Sequence, residues 1–304
     1  MTPTADQTKE FSWTGERFVP FLRGDIELEH LHRYAFARDF TAQKDVLDIA
    51  CGEGYGSYFL AGTAKTVVGV DLSEIVIQHA RSKYAAPGLE FLQGDCTRIP
   101  LKDSSVDVVV SFETIEHHDQ HEAMLAEIKR VLRPNGVVVI STPEKHLLNE
   151  LAQDRNEYHV KELSLGEFTE LLAGHFKHSA FFSQRVRHGS LMTPMVASEG
   201  GGVFSFHTGS HNAIVSSPVD PQPLFLVAVI SDSDLPPPRI SFFDGTDFFY
   251  RDRESQLAKM TEDRDALAAE IGRVKATLSW QLTKPLRLFQ YLISRLLGLR
   301  APRA

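Results

Sequence analysis

A mostly apolar run, Val46-Leu-Asp-Ile-Ala50, gives way to glycine at every second position, Gly52, Gly54 and Gly56, before Ser57. This stretch constrains the fold more than any other. A strand that runs into a glycine turn and then a helix can bring bare backbone against a ligand. Glycine tolerates positive φ and has no β-carbon to hold a ligand away. The G-x-G-x-G spacing differs from the G-x-G-x-x-G of dinucleotide-binding turns. Such a turn also occurs as plain architecture, so the residues downstream decide its meaning.

Downstream, strand and helix signals alternate. Strands are expected at Val46–Ala50, Thr66–Val70, Leu89–Leu92, Val106–Phe112, Val137–Thr142, Ala180–Gln184 and Leu224–Ser231. Helices are expected at Tyr55–Gly62, at Glu74–Tyr84 with Ser73 as N-cap, at Glu122–Leu132 and at Leu165–Ala173. Pro87-Gly88 stops the second helix, and Arg133-Pro-Asn-Gly136 is expected to stop the third. Near-continuous apolar strands alternating with helices predict an α/β fold. Its seven-stranded, mostly parallel sheet is doubly wound, with helices on both faces.

The ends differ from the middle. Residues 1–40 are read as a cap or flap, with a helix placing Leu31, Tyr34, Ala35 and Arg38 at helical spacing. Arg17 or Arg33 could offer a fork to a carboxylate. Residues 41–235 form the main domain. Its segment 187–220, rich in Gly, Ser, His and Pro, is expected to be a lid-like loop. A linker is expected at 236–253, then a coiled coil and a basic amphipathic tail at 254–304. Leu257, Met260, Leu267, Ile271, Val274 and Leu278 hold a and d positions, with Arg264 out of pattern. From Ile271 onward the chain carries seven Lys/Arg and no Asp or Glu. The preceding residues hold 25 basic and 40 acidic side chains, a balance of −15. An acidic body argues against nucleic-acid binding, while the tail suits an anionic membrane surface or a partner. Two cysteines, neither with metal-type spacing, fit a reducing compartment. The expected location is the cytoplasm, with peripheral contact at the inner membrane.

Three carboxylates belong to the glycine turn's neighbourhood. Asp71 ends the second strand, nineteen positions after Gly52, where it can accept hydrogen bonds from ribose hydroxyls. Asp95, with Cys96, follows the third strand and can frame a purine edge. Asp48 can anchor the glycine turn through backbone amides. Three acids around one pocket suit a cationic ligand better than a pyrophosphate.

Val46–Ser57, Val68–Leu72, Gly94–Cys96, Asp107–His118 and Val131–Val137 together resemble the class I S-adenosylmethionine-dependent methyltransferases, over about Phe11 to Ser231. The resemblance implies that Gly52, Gly54 and Gly56 approach the amino-acid part of S-adenosylmethionine. Asp48 and Ala50 would stand beside them, Asp71 and Leu72 at the ribose, Asp95 and Cys96 at the adenine. Phe112 and Glu113 would complete the shell, and the last strand would run antiparallel. Thr14–Pro20, His30–Ala37, Asn156–Leu163 and Ser279–Arg287 further resemble pieces of bacterial O-antigen and capsule sugar O-methyltransferases. The implied acceptor is a glycan or a lipid-linked saccharide. Glycan-biosynthesis enzymes, or a second copy through the coiled coil, are the implied partners. Alternatives are a small-metabolite or quinone-precursor O-methyltransferase, or a non-catalytic assembly subunit that binds the same ligand.

Methylating an alcohol requires removing its proton, and histidine is suited to that near neutral pH. His117 and His118, after the fourth strand, and His159, after the fifth, are the candidate catalytic bases. Glu113, Glu116 and His117 also form E-x-x-E-H, which resembles a divalent-metal motif of some quinone-biosynthesis methyltransferases. His188, His207 and His211 are too loosely spaced for a metal set and are assigned to the lid or to solvent.

Overall fold

The computed structural model describes residues 24–147, 156–187, 205–210, 213–218 and 222–283, with 285, 286, 289 and 293. Thr14–Pro20 with Arg17, His188, His211 and most of Leu288–Leu299 lie outside the described residues. The chain divides into two compact units, residues 2–245 and the stretch from Thr246 onward.

In the first unit, helix α1 (Asp25–Thr41) precedes strand β1 (Asp45–Ile49), α2 (Tyr55–Ala61), β2 (Thr66–Asp71), α3 (Glu74–Lys83) and β3 (Leu89–Gln93). Strand β4 (Val106–Ser111) leads through a 3₁₀ turn at Ile115–His117 into α4 (His121–Val131) and β5 (Leu132–Pro143). Then come α5 (Leu165–Ala173), β6 (His178–Gln184), the pair β7 (Phe206–Ser210) and β8 (Ala213–Ser217), and β9 (Phe225–Ser231). The main sheet has the order β3-β2-β1-β4-β5-β9-β6. β1 to β5 run parallel, and β9 lies antiparallel between β5 and β6. The seven-stranded α/β expectation holds.

Why the strands read as continuous apolar runs is visible in β1. Val46 packs with Tyr34 and Ala37 of α1 and Leu60 of α2 on one face. Its neighbour Leu47 belongs to the larger apolar cluster on the other, with Met124, Leu125 and Ile128 of α4. Burial on both faces removes the polar alternation. Helix α5 starts with a capping box, in which Ser164 Oγ accepts the Glu167 N–H and the Glu167 carboxylate accepts the Ser164 N–H.

Strand order reverses between β1 and β4, both of which end at the same edge of the sheet. In open α/β sheets that crevice is where ligands bind.

Four local expectations change. Helix α4 does stop before Pro134, but no separate turn follows. Leu132 passes straight into extended backbone and pairs with Val106, and a register shift absorbs Arg133–Gly136 inside β5, with Asn135 at φ 66°. Helix α1 forms as expected, but its buried residues are Glu27, Glu29, Arg33, Tyr34, Ala37 and Thr41, so that of the helically spaced Leu31, Tyr34, Ala35 and Arg38 only Tyr34 is buried. Apolar periodicity misreads it because Arg33, a charged residue, faces inward. Part of the expected loop 187–220 is an antiparallel hairpin, β7 with β8, in which His207 Nδ1 lies 2.8 Å from Ser216 Oγ. Lastly, helix α6 (Thr246–Ala276) begins within the expected linker.

In the second unit the heptad residues Leu257, Met260, Leu267, Ile271 and Val274 of α6 are exposed, and α7 (Leu278–Leu282) follows. Among the described residues no helix is long and apolar enough to cross a membrane.

Candidate active site

The glycine turn begins where β1 ends. Ala50, Gly52 and Gly54 have φ of 57°, 54° and 95°, so three alternate residues sit in left-handed backbone. For Ala50 that conformation costs energy, and strain of this kind persists where surrounding structure fixes it. The Cys51 N–H donates to the Val70 carbonyl at 2.9 Å and the Gly54 N–H to the Cys51 carbonyl at 3.1 Å. Asp71 closes the turn, its Oδ2 accepting the Gly52 N–H at 3.0 Å and its Oδ1 the Ser73 N–H at 2.9 Å. A β-carbon on Gly54 would stand 2.8 Å from Ala80 Cβ and 2.9 Å from the Phe91 ring. Glycine here lets α2 start close against α3 and β3.

Gly56 has a different part. It lies inside α2, and a β-carbon there would fall 1.9 Å from Tyr34 Cζ. Its missing side chain makes room for the Tyr34 ring. Asp48 also turns inward, accepting the Ser57 Oγ–H at 2.6 Å and the Tyr34 hydroxyl at 3.3 Å. It anchors the turn through these hydroxyls instead of backbone amides. Burial pushes its pKa up to about 7, against the lowering effect of those hydrogen bonds. Glu53, which sequence reasoning missed, is buried in the same turn and accepts the Tyr84 hydroxyl at 2.7 Å, with Lys83 as ion partner.

Leu72, 66% exposed, stands next to Asp71 at the sheet edge. Asp95 Oδ1 accepts both the Thr97 N–H and the Thr97 hydroxyl at 2.8 Å, which holds its pKa below the usual range. Burial pushes the Cys96 thiol up to about 12, so it stays protonated.

Phe112 and Glu113 follow β4. Phe112 meets the Tyr34 ring edge to face at 5.1 Å. Glu113, like Ala50, is a non-glycine in left-handed backbone, at φ 50°. Its N–H donates to Ser141 Oγ at 3.2 Å, and the Ser141 hydroxyl returns a hydrogen bond to Glu113 Oε1 at 2.6 Å. Arg33 Nη1, from α1, is 3.8 Å from the same oxygen and donates to Gln184 of β6 at 2.8 Å.

The three candidate histidines separate into two groups. His118 lies with Cys96, its Nε2 3.5 Å from the thiol sulfur and 3.3 Å from Met124 Sδ. Its Nδ1 accepts the Gln120 N–H at 3.2 Å, so Nε2 carries the proton and the ring offers no lone pair outward. Burial lowers its pKa. His117 and His159 meet edge to face, with ring centroids 5.2 Å apart. His117 Nδ1 is 3.0 Å from the Tyr158 carbonyl. His159 Nδ1 donates to Glu162 Oε1 at 2.7 Å, so Nε2 carries the lone pair, which faces Asn156 Nδ2 at 2.9 Å.

Glu116 joins them. The Glu116 carbonyl accepts the Val160 and Lys161 N–H groups at 2.8 and 3.0 Å, which ties the loop carrying His159 to the 3₁₀ turn. One ligand-type atom each from Glu116, His117 and His159 lies within 4.8 Å of the others. Of the E-x-x-E-H residues, Glu116 and His117 belong to this group, while Glu113 turns to Ser141 and His159 stands beside them.

Residues 47–140 match the family described as "Methyltransferase domain". Over 234 residues, 74% of this chain and 87% of the relative, the chain is 35% identical to a Mycolicibacterium smegmatis protein described as "Probable S-adenosylmethionine-dependent methyltransferase". The chain belongs to the S-adenosylmethionine-dependent methyltransferases. S-Adenosylmethionine is accordingly the cofactor of this methyltransferase, and the turn suits it, with left-handed backbone at three alternate residues and a buried carboxylate at Gly52. The methyltransferase is also 36% identical, over 140 residues, to a Mycobacterium tuberculosis phthiotriol/phenolphthiotriol dimycocerosates methyltransferase, covering 43% of this chain and 52% of the relative. Among solved structures, it aligns with a SAM-dependent methyltransferase from Thermotoga maritima at a TM-score of 0.49 and 18% identity, over 68% of this chain and 90% of that one.

Proposed function

We propose that this methyltransferase methylates a hydroxyl of a cell-surface glycan or its lipid-linked precursor. The observation that carries the reading is the His159 tautomer. Glu162 fixes the proton on Nδ1, leaving the Nε2 lone pair beside His117 and the buried Glu116. An alcohol gives up its proton as the new bond forms, and a base held in one tautomer is suited to accept it. His117 shares this edge, and His118, with Nδ1 tied to backbone, is assigned to packing beside Cys96.

Bound S-adenosylmethionine supplies an electrophilic methyl group on a sulfonium. Gly52 and Gly54, with Ala50, are assigned to its amino-acid end, and Asp71 with Leu72 to its ribose. Asp71 accepts the Gly52 and Ser73 amides, and an ionised carboxylate offers about four lone-pair sites. Asp95 and Cys96 are assigned to the adenine edge, and Phe112 and Glu113 to the side nearest the acceptor. Asp48 and Gly56 act behind this shell through Ser57 and Tyr34.

A glycan or lipid-linked acceptor is supported by the basic stretch from Ile271, which suits an anionic membrane face and a peripheral location there. A lipid alcohol is the second reading, favoured by the relative that is named for phthiotriol/phenolphthiotriol dimycocerosates. The test is transfer of labelled methyl to lipid-linked glycans, lipid diols and phenols in parallel. Label in a methyl ether of the glycan supports the reading. Label confined to phenols or to nitrogen acceptors overturns it.

A further inference from the structure

We propose that Glu116, His117 and His159 form a binding site for a divalent transition-metal ion of the zinc, manganese or iron class. The inference rests on the preceding reading for its use and changes the part of His159 there: an ion would take the Nε2 lone pair and acidify the acceptor hydroxyl itself, whose proton would then pass to solvent.

Three independent features point to it. Glu116 is 1% exposed, and its Oε1 has no hydrogen-bond partner, while Oε2 accepts from Thr142 Oγ1 at 3.3 Å. Buried polar atoms are nearly always satisfied, so an orphan carboxylate oxygen inside a cluster marks a missing partner. An ionised Glu116 would need a cation or a donor at that oxygen, because a carboxylate only accepts.

Both imidazoles are also set as metal ligands usually are. Such histidines pass the other ring N–H to a carbonyl or a carboxylate, which fixes the tautomer and raises ligand basicity. His117 has the Tyr158 carbonyl at Nδ1, and His159 has the Glu162 carboxylate at Nδ1. The Nε2 lone pair of His159 now accepts from Asn156, whose Oδ1 is held by the Tyr158 N–H. A metal ion would take that lone pair and displace the amide.

The third feature is reach. The ligand atoms lie within 4.8 Å of one another, whereas atoms about 2.1 Å from a tetrahedral zinc stand about 3.4 Å apart. Side-chain rotation of little more than an ångström closes the set. Two nitrogens and one oxygen favour a transition metal over calcium or magnesium, which prefer oxygen ligands. Three protein ligands leave a coordination position for a hydroxyl. Glu113 stays outside, its carboxylate bonded to the Ser141 hydroxyl.

Untagged full-length protein, stripped with EDTA and dialysed, would be titrated with Co²⁺ and Zn²⁺ by absorbance and calorimetry. One ion per chain is expected. Glu116→Gln, which keeps shape and removes charge, and His159→Gln should each weaken binding at least tenfold. Glu162→Gln, which touches no metal, should weaken it about tenfold by loosening His159. His79→Gln, outside the cluster, should bind as the parent does, and circular dichroism would verify folding throughout. Absence of binding to the parent, or equal binding by folded Glu116→Gln and His159→Gln, overturns the site. If that protein still methylates a hydroxyl, the preceding reading stands without the metal. An ion bound by a protein that methylates no hydroxyl supports the site and removes the use assigned to it.

Discussion

The Asp71 carboxylate accepts the Gly52 amide proton at 3.0 Å, so the end of β2 fixes the turn that follows β1. The same side chain is assigned to the cofactor's ribose, which links turn geometry to cofactor affinity. Asp71→Ala is therefore expected to weaken S-adenosylmethionine binding by about 2 kcal/mol, the scale of a hydrogen bond to a charged group, or roughly thirtyfold in Kd. Calorimetric titration measures it, and unchanged affinity would remove Asp71 from the site.

Gly56 is expected to tolerate no side chain, because of Tyr34. Gly56→Ala forces a β-carbon into the Tyr34 ring and should cost about 1–3 kcal/mol of stability. Tyr34→Ala in the same chain should recover part of that cost. A double-mutant cycle by chemical denaturation reads the coupling, and additive losses would contradict the contact.

Asp48 gives a pH signature. Its folded pKa, about 7, lies above the 3.8 ordinary for an aspartate, with burial as the main cause. The folded state therefore holds a proton that the unfolded state releases between about pH 4 and pH 7. The stability this contributes is complete below the unfolded pKa and is lost as pH rises through the folded one. Asp48→Asn cannot ionise, so its melting temperature should gain on the parent's across that window. A constant difference from pH 4 to pH 8 would refute a neutral Asp48.

His118→Gln separates the two histidine groups. With its Nδ1 tied to the Gln120 amide, His118 is expected to lower kcat by less than tenfold, against a hundredfold or more for His159→Ala. Steady-state kinetics on one acceptor compares them, and the reverse order would move the base to the Cys96 side.

The sheet was legible because strands buried on both faces leave continuous apolar runs, and the β1 turn because alternate glycines are rare. What periodicity could not reveal is which glycine serves the turn and which a neighbour. Gly56 looks like Gly54 in sequence, and only the packing of Tyr34 against it distinguishes them. The inner face of α1 was misread for a related reason, since Arg33 is buried by a partner, Gln184, far along the chain. Likewise His159 joins Glu116 and His117 through backbone bonds from Val160 and Lys161 to the Glu116 carbonyl, a link that no local spacing encodes. The Leu132–Val106 pairing similarly draws Arg133–Gly136, read in the sequence as the stop of a helix, into β5.

The central claim is that the cluster of Glu116, His117 and His159 activates an acceptor hydroxyl. Its most direct measurement is labelled methyl transfer to a lipid-linked glycan by the parent and by His159→Ala, with the product's linkage fixed by NMR. The account predicts a methyl ether from the parent and at least a hundredfold lower rate from the variant, with S-adenosylmethionine affinity retained. A methyl group on nitrogen or carbon, or an undiminished rate from His159→Ala, would contradict it.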